Sequence, residues 1–396
     1  MRSLHSSLLF IGTLLTALGY GATFLLTEHF RALGGSEVST GLTLAGAMVG
    51  TFLGVPLVGW FAERLGAARM AALGAFLLAV GYQSLATLGA VNLWTLLAGL
   101  LIGLGWGIFY LAAPLSLSAR VTDADRAFWF ARFGAFQMAG IGLSPIAATA
   151  LIQQLHFSTA TALSAVACAC LLASVHLATF EAVSKRPKTA AATVNKGWLR
   201  ALPQVLATRA RFPIMMVGLG ACVFTGLMTF QTSLVRDTNL HAGTFFAVYA
   251  VTVVVARLTL ASFLARVQAD RLAVSLLVLM TLGVLVANFM TLGVAVQVGS
   301  AVLLGLGYGL VYSVIQTQVI NDAPPELRHA ALTWFVLAYF VGIFGFPILG
   351  GWIIVHMGTG WCLALVLALA LAELMLALFR NGGLTRKVGH AGAANN

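Results

Sequence analysis

The chain has 396 residues, 60% of them hydrophobic and 8% charged, with a formal net charge of +11 and a mean hydropathy of +0.97. Soluble domains carry about a quarter charged residues, so a water-soluble enzyme or nucleic-acid-binding domain is excluded as the body of the chain. Apolar runs recur along nearly its whole length, each able to cross a hydrocarbon core of about 30 Å as a helix of about 20 residues.

The runs fall at 7–28, 40–61, 70–90, 94–118, 128–152, 160–180, 212–232, 244–265, 273–292, 295–320, 330–355 and 361–380. They predict an all-α polytopic membrane protein with twelve transmembrane helices. The first run follows Met-Arg-Ser-Leu-His, is too long for a signal-peptide core and lacks a convincing cleavage site, so it counts as a helix. Between the second and third runs lies "GWFAERLGAAR", residues 59–69. The only long polar connection, 181–211, carries Pro187, Pro203 and most of the lysines, and divides the helices six and six. The expected organisation is an N-terminal six-helix bundle at 1–180, a linker at 181–211, a C-terminal six-helix bundle at 212–380 and a tail at 381–396.

The two bundles are copies of one pattern. "LIGLGWGIFY" (101–110) returns as "LLGLGYGLVY" (303–312), an offset of 202. Without a gap, 101–146 and 303–348 share 12 identities in 46 positions, among them Gly103/Gly305, Gly105/Gly307, Gly107/Gly309, Tyr110/Tyr312, Arg126/Arg328, Gly140/Gly342 and Pro145/Pro347. The same offset pairs Thr23 with Thr225, Thr27 with Thr229 and Gly41 with Gly243. Shared apolar composition would scatter such matches; it would not hold glycines and prolines in register. Two pseudo-symmetric halves, each with an even number of helices, sit the same way up about an axis along the membrane normal. Secondary transporters that rock two bundles about a central site are built this way. Arg64 and Arg69 likewise pair with Arg266 and Arg271, but Gly59, Glu63 and Gly66 become Ala261, Ala265 and Gln268, so the second copy keeps only the cations.

If the N-terminus is cytoplasmic, 20 of the 22 Lys+Arg lie at or near the cytoplasmic side, and only Arg31 and Arg236 lie on the other. That asymmetry is the positive-inside pattern. It places a multi-pass protein in a bacterial-type inner (plasma) membrane with both termini cytoplasmic, and it reads the net charge as a topology signal and not as a nucleic-acid footprint. Cys168, Cys170, Cys222 and Cys362 all fall in apolar runs, without metal-ligand spacing, and read as small interior residues. Neither a phosphate-binding Gly-x-x-x-x-Gly-Lys-Ser/Thr loop nor His-Glu-x-x-His occurs. No enzyme activity, cofactor or metal is expected.

On these residues the chain resembles the major facilitator superfamily over essentially its whole length. That family's loop signature between helices 2 and 3 runs Gly, three residues, Asp, Arg/Lys, one residue, Gly, then basic residues. Gly59, Glu63, Arg64, Gly66 and Arg69 match it, with Glu in place of Asp and Ala67-Ala68 where basic residues are usual. The resemblance implies a monomer that moves a small-molecule substrate by alternating access. It also implies that Glu63 is a gate residue, pairing with a cation or helix end of the other half; loop shape and topology alone are the alternative. The Arg that proton-coupled members carry before the helix-4 glycines is absent, and the helix-5 antiporter signature is reduced to Gly140, Ser144-Pro145 and Ala147-Ala148. Proton-driven efflux is the leading expectation. The alternatives are a facilitator or importer of an anionic metabolite and a ligand sensor that does not transport.

In this fold helices 1, 4, 7 and 10 line a cavity, with 2, 5, 8 and 11 beside them. The resemblance therefore places Tyr20, Trp106, Tyr110, Tyr308, Tyr312 and Gln316 at the cavity, together with Gln137 and its repeat partner Tyr339, and Gln231. Trp106, Tyr110 and Pro114 are four apart and share a helix face, an arrangement suited to stacking or cation–π contact with an organic substrate. Packing around the glycine grooves is the alternative. Ionisable residues within spans are functional suspects. Glu28 and His29 at the outer end of helix 1 either carry a coupling proton or mark the interface. Arg132 and Arg257 on helices 5 and 8 would face one vestibule and favour an anion. Glu373, seven residues before Arg380, is expected to snorkel or to pair, and Asn288 to bond between helices.

Overall fold

The computed structural model describes residues 3–122, 125–184, 198–264 and 267–393. Helix α1 is Ser3–Gly21, continued by a tighter turn at Ala22–Leu25 and by Leu26–Ala32. Then follow α2 (Glu37–Leu65), α3 (Ala67–Thr87), α4 (Leu93–Ser118), α5 (Arg126–Gln153) and α6 (Thr159–Val183). The second half comprises α7 (Arg211–Thr229, continued by Gln231–Leu234), α8 (Ala242–Leu264), α9 (Ala269–Ala287), α10 (Val294–Asp322), α11 and α12 (Thr359–Ala393). Helix α11 runs through Arg328–Phe340, a wide turn at Val341–Gly345 and Phe346–Met357. Among the described residues there is no strand, and eleven helical spans are long and apolar enough to cross a membrane. The remaining helix, α8, carries a shorter apolar stretch, Ala242–Arg257. The helix of α12 continues through Ala393, into the segment the sequence assigns to a tail.

Glycine spacing sets the packing inside each half. On α4, Gly99, Gly103 and Gly107 lie on one face four residues apart, opposite Thr43, Ala47 and Thr51 of α2 at the same spacing. A Cβ on Gly103 would collide with the backbone of Ala47, so the two helices approach at backbone contact, which only small residues allow. The turn between α2 and α3 is equally specific. Gly66 caps both helices at φ +95°, a conformation L side chains rarely adopt, and its carbonyl accepts from Met70 N at 3.1 Å. The widened turn in α11 immediately precedes Pro347, which cannot donate a helical hydrogen bond to the carbonyl four residues earlier.

Ion pairs tie each bundle at the end that carries the linker. Arg120 at the end of α4 donates to Glu181 of α6 at 2.7 Å. The second half has the same connection with its charges exchanged: Asp322, 202 residues after Arg120, accepts from Arg380 of α12 at 2.7 Å. Arg380 also donates to Asp270 at the start of α9, at 2.5 Å. The second copy of the loop pattern thus carries an acid at a different position, Asp270, one residue before Arg271, where the offset pairs it with Ala68. Two expectations are corrected. Cys168 is exposed while Cys170 and Cys362 are buried, and Asn288 bonds within its own helix, to the Val284 carbonyl at 2.9 Å.

Candidate transport cavity

The halves meet along α2 with α11 and along α5 with α8. Gly41 abuts the backbone of Pro347 and Ile348, and Gly351 abuts that of Glu37. On the other seam Gly142 abuts Ala250, and Gly243 abuts Thr149. Three layers close the end away from the linker. Outermost, Arg31 Nη2 pairs with Glu37 and donates to Ser233 Oγ at 2.6 Å, while Ser233 Oγ donates to Glu37 at 2.8 Å. Beneath it, Thr27 Oγ1 donates to the Thr229 carbonyl at 3.1 Å, and Thr40 Oγ1 donates to Thr27 at 3.2 Å. The third layer is aromatic. Tyr20 stacks on Trp106 at 4.7 Å and Phe224 on Tyr308 at 4.5 Å, with Phe24 set edge-on to Phe224 at 5.8 Å.

Below this aromatic layer lies a cavity of about 350 Å³. Tyr110 and Tyr312 reach into it from opposite halves, and their hydroxyls meet at 2.6 Å. Tyr339 of α11 lies over Tyr110 at 6.0 Å and edge-on to Tyr312 at 5.3 Å. Of the 24 described residues that line it, ten are aromatic, none is acidic, and one, Arg257, is charged. Arg257 Nε and Nη2 both donate to the Gly309 carbonyl, at 3.0 and 2.8 Å, which fixes the guanidinium between α8 and α10. Its Nη1 points towards Gly134 of α5, in the other half, and has no protein acceptor among the described residues. Trp106 Nε1 and Tyr20 Oη, also on the cavity, are buried and have no partner among the described residues.

Of the residues singled out in the sequence, Tyr20, Trp106, Tyr110, Gln137, Arg257, Tyr308, Tyr312, Gln316 and Tyr339 are brought together on this cavity. Four others lie elsewhere. Gln231 is buried at the far end of α7, with Nε2 on Met290 Sδ at 3.8 Å. Arg132 is exposed and covers the Phe128 ring. His29 is buried within the first half: Nε2 donates to the Leu85 carbonyl at 3.2 Å, so Nδ1 of the neutral ring accepts from Thr159 Oγ1 at 3.0 Å. Glu28, half-buried, is one turn before Arg31. At the α2–α3 turn Gly59 is half-buried and Arg64, Arg69 and Arg271 are exposed; the Glu63 side chain and Arg266 lie outside the described residues.

Tyr249, Phe130 and Phe133 line the cavity and escaped the sequence reading. Tyr249, Val253 and Arg257 recur every four residues, the same signal that grouped Trp106 with Tyr110. The cluster was therefore visible in the spacing.

The major facilitator superfamily model matches residues 9–347. The chain belongs to this superfamily. As a major facilitator protein it is a membrane transporter, and its fold is that of solved relatives at low identity. It is similar to the nucleoside transporter NupG, with TM-score 0.74, 16% identity and 96% of this chain covering 99% of that one. It is also similar to PepTSo, a POT family transporter, with TM-score 0.77, 13% identity and coverages of 96% and 98%. An auto-inhibited POT family peptide transporter gives TM-score 0.73, 14% identity and coverages of 96% and 97%. A comparison with curated proteins finds no match. These identities carry the fold and not the cargo.

Proposed function

We propose that this major facilitator protein exports a small aromatic organic anion by alternating access, in exchange for protons. The observation that carries the substrate class is Arg257: the one charged group of an aromatic cavity, anchored on one edge and open on the other. An anionic group bound at Nη1 would gain a charge-assisted hydrogen bond. Trp106 Nε1 offers a second donor, and the Tyr110, Tyr339 and Tyr308 rings offer flat faces for stacking. A volume of about 350 Å³ suits a single small solute.

Energetics favour the outward direction. With the linker end cytoplasmic, as the positive-inside pattern indicates, an anion leaving and a proton entering both move positive charge inward. Each gains about 2.3 kcal/mol per 100 mV of inside-negative potential. The signature turn around Glu63 and Arg64 would serve as the cytoplasmic gate, and the monomer would be the working unit in an inner membrane. The reading is tested by a thermal-shift screen of the purified protein against benzoate, 4-hydroxybenzoate and benzenesulfonate, with sugars, nucleosides and dipeptides as comparators. Selective stabilisation by the aromatic anions supports it, because a ligand of the native state raises apparent stability; stabilisation only by neutral comparators refutes it. One observation favours a second reading: the absence of any acid among the described cavity-lining residues fits a facilitator without proton coupling.

A further inference from the structure

We propose that Glu373 is a proton-binding site of this transporter, placed outside the substrate cavity and loaded in the closed arrangement described here. Glu373 lies inside the membrane-spanning part of α12 and is 0% exposed. Neither carboxylate oxygen has a hydrogen-bond partner among the described residues. This corrects the expectation that it snorkels or pairs: Arg380, about two turns further on, is held by Asp270 and Asp322 instead.

An ionised carboxylate enclosed without a counter-ion is strongly disfavoured, and such a group takes up a proton instead. Among the described residues no cation stands in a position to relieve it. On α7, Cys222 is the titratable group in electrostatic range, and on α10 it is Tyr308; both are uncharged. Helix α9 carries only Asp270 and Arg271, both at its linker end, and the α11 segment Phe346–Met357 carries only His356, at its far end. Helix α12 itself supplies Arg380, already engaged, and the buried thiol of Cys362.

The position also connects to the cavity. Gly220 of α7 lies against the carboxyl, since a Cβ there would come within 2.8 Å of Oε2. One turn along the same helix, Phe224 stacks on Tyr308, and both line the cavity. A rearrangement of α7 that opens the aromatic layer therefore disturbs the enclosure of Glu373, which is the geometry that lets proton release accompany substrate movement. The coupling part of this inference rests on the transport reading above; the proton-binding part does not.

The test uses the full-length protein in lipid vesicles. Infrared difference spectroscopy should show a carboxylic-acid carbonyl band at neutral pH that shifts on deuteration and disappears in Glu373→Gln. In the same vesicles, an imposed pH gradient should accelerate radiolabelled benzenesulfonate flux in the wild type and have no effect in Glu373→Gln, with ungraded exchange retained. Should the variant fail to fold, labelled glutamate in the unmutated protein must shift the band. Absence of a glutamic-acid band, or a gradient response unchanged in Glu373→Gln, overturns the inference while leaving the transport reading intact. Wild-type binding without flux refutes the transport reading, and the proton site is then decided by the band.

Discussion

Tyr110 and Tyr312 are 202 residues apart, occupy the same place in the two halves, and touch hydroxyl to hydroxyl at 2.6 Å. A residue can meet its own repeat counterpart only on the axis that relates the halves. Thr27 and Thr229 obey the same condition at 3.1 Å, as do Arg31 and Ser233 at 2.6 Å. Three such contacts trace the pseudo-two-fold axis from the outer polar cluster to the centre of the cavity. The cavity is thus the place where the repeat becomes a geometric axis.

The tyrosine contact bridges the halves and breaks when they part. Tyr110→Phe or Tyr312→Phe should each destabilise the closed arrangement by about 0.5–1.5 kcal/mol, the net worth of one hydrogen bond. The double variant should cost little more than either alone, since both remove the same bond. Thermal unfolding in lipid nanodiscs checks this; additive losses would show that the hydroxyls act separately.

Glu37 ties α2 to α1 and, through Ser233, to α7. Glu37→Gln removes the opposite charge that Arg31 pairs with and should weaken closure by roughly 1–2 kcal/mol, a factor of about 5–30 in the closed-to-open ratio. Maleimide labelling of Thr40→Cys, applied from the side away from the linker, should accelerate accordingly in a background with Glu37→Gln. An unchanged labelling rate would mean that the cluster does not hold this end shut.

Arg257 is predicted to hold the anionic group. Arg257→Gln should weaken benzenesulfonate binding by about 1.5–3 kcal/mol, the range for hydrogen bonds to charged groups, which is tenfold or more in Kd. Arg257→Lys should not restore it, because a single ammonium cannot reproduce the two bonds to the Gly309 carbonyl and also face Gly134. Isothermal titration of the three proteins separates these outcomes.

Gly103 is predicted to be a folding position and not a binding one. Gly103→Ala forces a Cβ into the Ala47 backbone and should cost about 1–3 kcal/mol through overpacking. Gly299, with open space around it, should accept alanine freely. The melting temperatures of the two variants make the comparison.

Much of this was legible because the relevant physics is local or repeated. Apolar runs place the helices, and the recurrence of Gly103, Gly105 and Gly107 at 305, 307 and 309 reveals the halves before any coordinate is known. What escaped was three-dimensional pairing. Asp270 and Asp322 look like ordinary helix-end acids until Arg380 is seen between them, and Glu373 looks like a snorkelling residue until the enclosure around Gly220 is seen. Sequence spacing says which face of a helix a residue occupies; it does not say which neighbour fills the space opposite.

The central claim is coupled transport of an aromatic anion, and flux measures it most directly. Proteoliposomes loaded with radiolabelled benzenesulfonate, which stays ionised and so does not leak through lipid as a neutral acid, should lose label faster than protein-free vesicles. Release should accelerate when protons are offered on the opposite side, and Arg257→Gln should slow the protein-dependent part about tenfold or more at benzenesulfonate concentrations below Kd. Release no faster than from protein-free vesicles, in protein shown to bind the anion, would contradict the account.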